Sequence, residues 1–481
     1  MKNPSLKKNI AFNLFKTLLN LLFPLITFPY ASRVLLPEGI GRVAFAQSVI
    51  DYFIIIATLG ISTYGIRETA KVRDNREKLS KISKEIITIN MISTFASYFM
   101  LFIAVFFISK LANYRSLLII ISAKILFTAL GLDWLYGGME DYKYITTRAT
   151  IFQIISVVML FLFVHRPEDY LKYASIAVFS NIGSNVCNWI HSKKYVNLFI
   201  RTKLELKKHF KPIFILFAMA VVTKVYTVLD VTMLGFLCDD WQVGIYSAAV
   251  KVNKIVLSLV VAACTVLLPR LSYYSEKNEL NKFNDLAYKG FNVLLLVSIP
   301  SCIGLSLVSY HVIMLLSGQH YISAVPVMRI MNPIILIIGI SSFVGMQLFM
   351  PLRKEKYTLY SVICGAGVNF SLNLMLIPKF QAFGAAISTL CAEVMVTVVQ
   401  LILAKDLINL RNLFRPFAFY LFDSAVMGLF VYIFIRHIGN IFLGFFWGVV
   451  SGFFVYILLL LLQKNEIVFA GIKTVRNKFK W

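Results

Sequence analysis

Runs of about twenty predominantly apolar residues recur from one end of this 481-residue chain to the other. That length matches the hydrocarbon core of a bilayer, and a helix satisfies its own backbone hydrogen bonds there. The chain is therefore constrained to cross a membrane many times. The runs predict spans near residues 9–30, 41–64, 84–108, 116–138, 146–164, 171–191, 211–237, 243–268, 290–316, 325–350, 357–377, 383–404, 416–436 and 441–462. The expected fold class is all-α integral membrane, with about 14 transmembrane helices. Composition agrees: 59% of residues are hydrophobic and 15% charged, more apolar surface than one soluble core of this length covers.

A formal net charge of +25 would suit a nucleic-acid partner, but its placement points elsewhere. With a cytoplasmic N-terminus, inside segments carry 34 Lys and Arg and outside loops 8. This is the positive-inside asymmetry of a membrane protein. Both termini are predicted to be cytoplasmic, with no nucleic-acid partner. Lys7 and Lys8 before an apolar run imitate a signal peptide, but no small-residue cleavage site follows, so the run is read as a retained first span. The cysteines at 187, 238, 264, 302, 364 and 391 are scattered, without a CxxC or Cys/His cluster. Neither disulfides, a metal site nor a cofactor is implied.

Outside loops are short, leaving no room for an external catalytic domain, so the chain is not read as an enzyme. Of the longer inside segments, 67–84 is a basic connector. Segment 191–211 alternates basic residues with Val196, Leu198, Phe199, Leu204 and Leu206. It reads either as an amphipathic helix on an anionic leaflet or as a solvated linker. On its two sides the halves look related. Gly41–Val49 (GRVAFAQSV) resembles Gly244–Val252 (GIYSAAVKV) at an offset of 203. Asp141–Tyr144 resembles Lys354–Tyr357, and Tyr173–Ile176 resembles Gly384–Ile387, in the same order. The expected organisation is two pseudo-symmetric six-helix bundles, 1–192 and 212–405, joined by a cytoplasmic amphipathic linker, 193–211. Two extra helices and a basic tail follow, 406–481. An even number of helices per repeat gives both the same orientation, as in transporters that bind substrate between repeats.

Ionisable residues inside spans are expensive, about 2.5–3.5 kcal/mol each at a helix centre, and mark cavities or pairs. Lys16, Lys124, Lys224, Lys251, Lys254 and Arg329 fall within spans, as do Asp51, Asp133, Asp230, Glu393 and Asp423. Lys124, Arg329, Asp133 and Asp423 lie nearer span ends, where snorkelling relieves them. Helical spacing organises the others. Asn9, Asn13, Lys16 and Asn20 form one stripe; Ser247, Lys251, Lys254 and Ser258 another. Thr223, Thr227 and Asp230 share a face with Lys224 on its flank, and Asn181, Asn185 and Asn188 make a ladder. Thr389, Glu393, Thr397 and Gln400 make a further stripe. Such stripes fit either a hydrated, partly cationic pathway or interhelical hydrogen bonds of assembly. Asp51 and Lys254 are pseudo-equivalent at the offset of 203 and are expected to face a central cavity, paired in one conformation. Pro24, Pro29, Pro300 and Pro333 are candidate flexures.

Asn9–Arg33, Leu36-Pro-Glu-Gly-Ile-Gly41, Asp230–Gly235 and Val243–Val252 resemble the corresponding helices of bacterial polysaccharide exporters. This is the Wzx-type O-antigen and capsule flippase family, within the multidrug/oligosaccharidyl-lipid/polysaccharide exporter superfamily. The resemblance implies a transporter in the bacterial inner membrane, carrying undecaprenyl-diphosphate-linked oligosaccharide to the outer leaflet by alternating access. Glycan polymerase machinery and membrane lipid are implied partners. The residue reading agrees: a diphosphate-sugar head suits a lining of Lys16, Lys224, Lys251 and Lys254 with Asn13, Asn20, Asn181 and Asn185. Asp51, Asp230 and Glu393 are the candidates to carry a coupling H+ or Na+. A multidrug cation antiporter is the nearest alternative, for which lysines are a poor lining. A membrane-embedded glycan polymerase or ligase would need a larger external loop.

Overall fold

The computed structural model of the protein describes residues 6–200, 202–265, 267–465 and 467–469; the side chains of residues 6–18, 20–22 and 263–265 lie outside that description. The described residues form helices and no strand. In chain order these are α1 (Leu6–Thr58), α2 (Ile61–Val72), α3 (Arg76–Phe107), α4 (Ser109–Ala112), α5 (Arg115–Ala129), α6 (Asp133–Gly138), α7 (Tyr142–Phe163), α8 (Tyr170–Ser192) and α9 (Lys207–Leu237). Then come α10 (Asp240–Thr265), α11 (Leu268–Glu276), α12 (Leu280–Leu316), α13 (Ala324–Met331), α14 (Ile334–Phe343), α15 (Glu355–Ala404), α16 (Leu410–Phe414), α17 (Phe417–Ile435) and α18 (Ile441–Leu462).

Among the described residues, eleven helical stretches are long and apolar enough to cross a membrane. Two of these run 50 residues each, and each contains a bend: Leu36 in α1 and Gln381 in α15 leave helical geometry, with φ of 60° and 52°. Each of the two therefore supplies a pair of spans. The α8 helix is outside the eleven, because its asparagines dilute the apolar run, but its 23 residues have the required length. The chain is a multi-pass membrane protein of about fourteen crossings. The bend at Leu36 has a local cause, since a following proline, Pro37, disfavours helical geometry at the residue before it. Pro24, Pro29 and Pro300 lie inside helices, whereas Pro333 separates α13 from α14.

The chain resolves into two compact units, residues 1–244 and 245–481. The division falls later than the repeat boundary read from the sequence, because α9 packs along the second half of α1 in the first unit.

Polarity in the first unit is turned inward. On α3, Phe95, Phe99, Phe102 and Phe106 are exposed, a surface that lipid covers. The opposite face buries Asn90, Ser93 and Ser97. Ser93 Oγ donates to the Ala57 carbonyl at 2.6 Å, Ser97 Oγ to Phe53 at 2.7 Å, and Asn90 Nδ2 to Ala129 at 2.9 Å. With lipid as apolar as the side chains, such bonds hold helices together where hydrophobic burial does not. The second unit uses small residues as well. Gly444, Gly448 and Gly452 stand one turn apart on α18, and a Cβ at the first two would meet His311 and Val308 of α12. Its deepest carboxylate, Asp423, is fully buried and accepts from Gln463 Nε2 at 2.6 Å. Snorkelling, expected for Asp423 from its place near a span end, does not occur.

The segment after α8 is irregular over residues 193–200 and 202–206, rather than an amphipathic helix. It is not a free linker either, because α3 holds it. The Asn197 amide donates to Ser80 Oγ at 2.9 Å, Lys84 Nζ to the Ile200 carbonyl at 2.7 Å, and the Glu205 amide to Glu85 Oε1 at 2.8 Å. Tyr195 is buried, its hydroxyl donating to Asp141 Oδ2 at 2.7 Å. Burial and that carboxylate raise the Tyr195 pKa, so the phenol remains a donor. Local bonds to polar side chains outcompete helix formation here. At the segment's end Glu85 and His209 are buried together: His209 Nε2 lies 2.8 Å from Glu85 Oε2, and Tyr64 Oη lies 2.6 Å from His209 Nδ1. Lys208 Nζ reaches the same carboxylate oxygen at 3.1 Å.

Candidate functional site

The second half of α1 and α9 run antiparallel, and their contacts form a ladder. Gly41 meets Asp240, just beyond α9; Phe45 covers Gly235; Thr232 Oγ1 donates to Ser48 Oγ at 3.0 Å. Positions 41, 45 and 48 recur at helical spacing, so one stripe of α1 faces α9 throughout. The top of the ladder is reciprocal. A Cβ on Gly41 would stand 2.7 Å from the Asp240 carbonyl carbon, and one on Gly244 would stand 2.6 Å from the Pro37 carbonyl carbon. Residues 37 and 41 plus 203 are 240 and 244, so the two close approaches join positions related by the repeat offset. Only glycine allows backbones this close. Arg42 Nε donates to Asp240 Oδ2 at 3.1 Å, and the Tyr114 hydroxyl donates to Oδ1 of the same carboxylate.

One turn below Ser48, toward the membrane middle, the ladder becomes ionic. Lys224 Nζ of α9 lies 2.7 Å from Asp51 Oδ2, with their side chains 39% and 19% exposed. Gln47 Nε2 donates to Asp51 Oδ1 at 2.7 Å, and Lys124 Nζ of α5 donates to Gln47 Oε1 at 2.6 Å. Three helices thus supply a chain from Lys124 through Gln47 and Asp51 to Lys224. It contains two lysines and one carboxylate, joined by one amide, in a spanning bundle. Asp230 is buried further along α9. The partner that Asp51 finds in its own unit is Lys224, whereas the offset of 203 pointed to Lys254. Lys124, read as a snorkelling residue near a span end, instead joins this chain. Gln47, its connector, was missed; it stands four residues before Asp51, and that i,i+4 spacing was the available signal.

The other expected lining residues are distributed as follows. Lys16, Asn13 and Asn20 lie on α1, with side chains outside the described residues. Asn185 Nδ2 donates to Asn181 Oδ1 at 3.2 Å, and Asn185 is buried where a Cβ on Gly131 would strike it. Asn188 donates to Asp133 Oδ1 at 2.7 Å and to the Gly131 carbonyl. Asp133 also pairs with buried Arg148 at 3.0 Å. This part of the asparagine ladder braces α8 against the α5–α6 turn. In the second unit, Lys251 and Lys254 share a face of α10 at i,i+3 spacing, with Lys254 exposed, while Glu393 is buried in α15. One turn from Glu393, Thr389 Oγ1 lies 3.0 Å from the Tyr246 hydroxyl, and Thr397 donates to the Ile337 carbonyl at 3.2 Å. No group of three or more His, Cys, Asp or Glu suited to a metal occurs among the described residues.

Residues 6–275 match the family model described as polysaccharide biosynthesis protein. The chain belongs to that family. A putative O-antigen transporter of Escherichia coli (strain K12) is 23% identical over 420 residues, covering 84% of this chain and 97% of that protein. A protein of the same description from Shigella dysenteriae is 25% identical, over 82% of this chain and 99% of its own length. A probable low-salt glycan biosynthesis flippase of Haloferax volcanii is 22% identical over half of each chain. Among solved structures, the lipid II flippase MurJ in an inward closed conformation superposes with a TM-score of 0.67 at 18% identity, covering 93% of this chain and 99% of that one. An inward-facing multidrug resistance MATE transporter of the MOP superfamily gives a TM-score of 0.64 at 12% identity, over 80% and 93%. This family member therefore has the transporter fold shared by those two structures.

Proposed function

We propose that this protein moves a lipid-linked oligosaccharide across the bacterial inner membrane, from the cytoplasmic to the outer leaflet, with undecaprenyl diphosphate as the lipid carrier. The observation that carries the reading is the chain Lys124–Gln47–Asp51–Lys224, two lysines and an amide gathered on one carboxylate across three helices. A diphosphate brings negative charge that an ammonium recognises as a point charge, and the amide of Gln47 suits sugar hydroxyls. In this reading Lys224 exchanges Asp51 for the diphosphate as substrate binds, and the freed carboxylate takes up the coupling H+ or Na+. Lys16, Lys251 and Lys254, with Asn13, Asn20 and Asn181, extend the polar lining, while Asp230 and Glu393 are further ion-coupling candidates. Access alternates between the two faces of the membrane. The names of the relatives and the fold support a transporter of this kind; an organic-cation antiporter suits a cation-rich site poorly.

The test is a flip assay in proteoliposomes with fluorescent undecaprenyl-diphosphate oligosaccharide, repeated with a cationic dye. Flux of the glycolipid alone, lost in Lys224→Ala, is the expected result. Dye flux without glycolipid flux would transfer the protein to the drug exporters. Glycolipid flux indifferent to both pH and sodium gradients would remove the coupling role of Asp51.

A further inference from the structure

Around the junction of α3, α8 and the segment after α8, several cations are neutralised. Arg73 pairs with Glu140 at 3.0 Å, Lys71 with Glu68 at 2.8 Å, and Lys81 with Glu205 at 2.6 Å. Arg76 and Lys193 differ: among the described residues neither meets a carboxylate. Arg76 Nη2 donates to the Lys193 carbonyl at 3.2 Å. That bond fixes the guanidinium at the start of the irregular segment and leaves its other N–H groups available. Both residues line a cavity of ≈ 370 Å³, whose remaining wall includes Trp189, Val196, Leu198 and Phe199. Phe199 is 86% exposed. Trp189 stands in the last turn of α8, and tryptophans at span ends sit at headgroup level. The cavity thus combines unneutralised cations with an apolar aromatic wall at the depth where a bilayer changes from headgroup to chain.

We propose that this cavity binds the headgroup of an anionic phospholipid. The phosphate lies between Arg76 and Lys193, where a planar guanidinium forms paired hydrogen bonds to phosphate oxygens. The upper acyl chain lies over Trp189 and Phe199. A lipid bound there touches α3, α8 and the segment between α8 and α9, and so tethers that segment to the first unit. This goes beyond transport of the glycolipid, since the bound lipid stays in its leaflet.

The test uses the purified full-length protein in neutral detergent, with native mass spectrometry after adding phosphatidylglycerol or phosphatidylcholine of matched chains. Preferential retention of phosphatidylglycerol is expected, falling about tenfold in Arg76→Ala/Lys193→Ala. The exposed-surface control Arg411→Ala should retain it fully. Lys193→Glu alone, which removes no internal hydrogen bond of the side chain, should also lose the adduct if the double variant misfolds. Equal retention of the two lipids, or retention unchanged in both variants, would overturn the proposal. Displacement by excess inorganic phosphate would make this a free-phosphate site, and displacement by undecaprenyl diphosphate a substrate site; either overturns the phospholipid assignment.

Discussion

Replacing Gly244 with alanine tests the reciprocal contact between the two matched motifs. The new Cβ would stand 2.6 Å from the Pro37 carbonyl carbon and 2.9 Å from its Cα. Carbon atoms at rest lie about 3.5–4.0 Å apart, so the backbones must separate by about 1 Å. Both obstacles are main chain, and no rotamer change relieves them. Overpacking of this kind costs about 1–3 kcal/mol. The opposing effect is the helix preference of alanine over glycine, about 1 kcal/mol in favour of the variant. Any loss of the contact therefore reports the seam, not the helix. Translated into a two-state equilibrium, 1–3 kcal/mol is about a 5- to 150-fold shift away from the closed seam. The assay is maleimide labelling of Ser48→Cys in a cysteine-free background, because Ser48 is buried two turns below Gly41 on the same stripe. Labelling should accelerate within that range in Gly244→Ala and in Gly41→Ala, whose Cβ would meet the Asp240 carbonyl carbon at 2.7 Å. Gly367→Ala is the control, since nothing lies within 4 Å of a Cβ there. Unchanged labelling in both seam variants, at normal expression, would refute the argument that glycine is required for closure.

Other substitutions separate transport from assembly. Lys224→Ala should abolish most glycolipid flux at normal expression, and the exchange Asp51→Lys/Lys224→Asp should restore folding more than flux, measured by thermal midpoint beside the flip assay. His209→Ala leaves Glu85 and Tyr64 without a shared partner, and should lower stability by about 1–3 kcal/mol in thermal unfolding, with His209→Gln losing less. Asn188→Ala removes the bond to Asp133 and should lower the melting temperature while leaving the substrate preference of surviving protein unchanged. Tyr195→Phe should speed proteolysis of the 193–206 segment, because the hydroxyl bond to Asp141 is lost while the ring remains buried.

Much of the fold was legible because lipid as solvent imposes a length and a polarity on each helix, and both are properties of contiguous residues. The apolar runs placed the spans, and the offset of 203 matched the two motifs that meet at Gly41 and Gly244. Which charge pairs with which was not legible, because pairing depends on helices that are distant in sequence. Asp51 is 173 positions from Lys224 and 203 from Lys254; the repeat offset pointed to Lys254, yet within the first unit the carboxylate meets Lys224. The same holds for Lys124, whose place nearer a span end suggested snorkelling, whereas packing brings it to Gln47. The periodicity of Asn181, Asn185 and Asn188 told that they share a face, and only the neighbouring Gly131 and Asp133 made that face a brace. Alternating basic and apolar residues after α8 fit a surface helix as well as a linker, yet amides of the segment donate to Ser80 and Glu85 while Lys84 donates to its Ile200 carbonyl, and these bonds favour irregular backbone. Hydropathy is a sum over neighbours in the chain and is determined there; the Lys124–Gln47–Asp51–Lys224 chain is a set of directional contacts, and these exist only once three helices have been packed together.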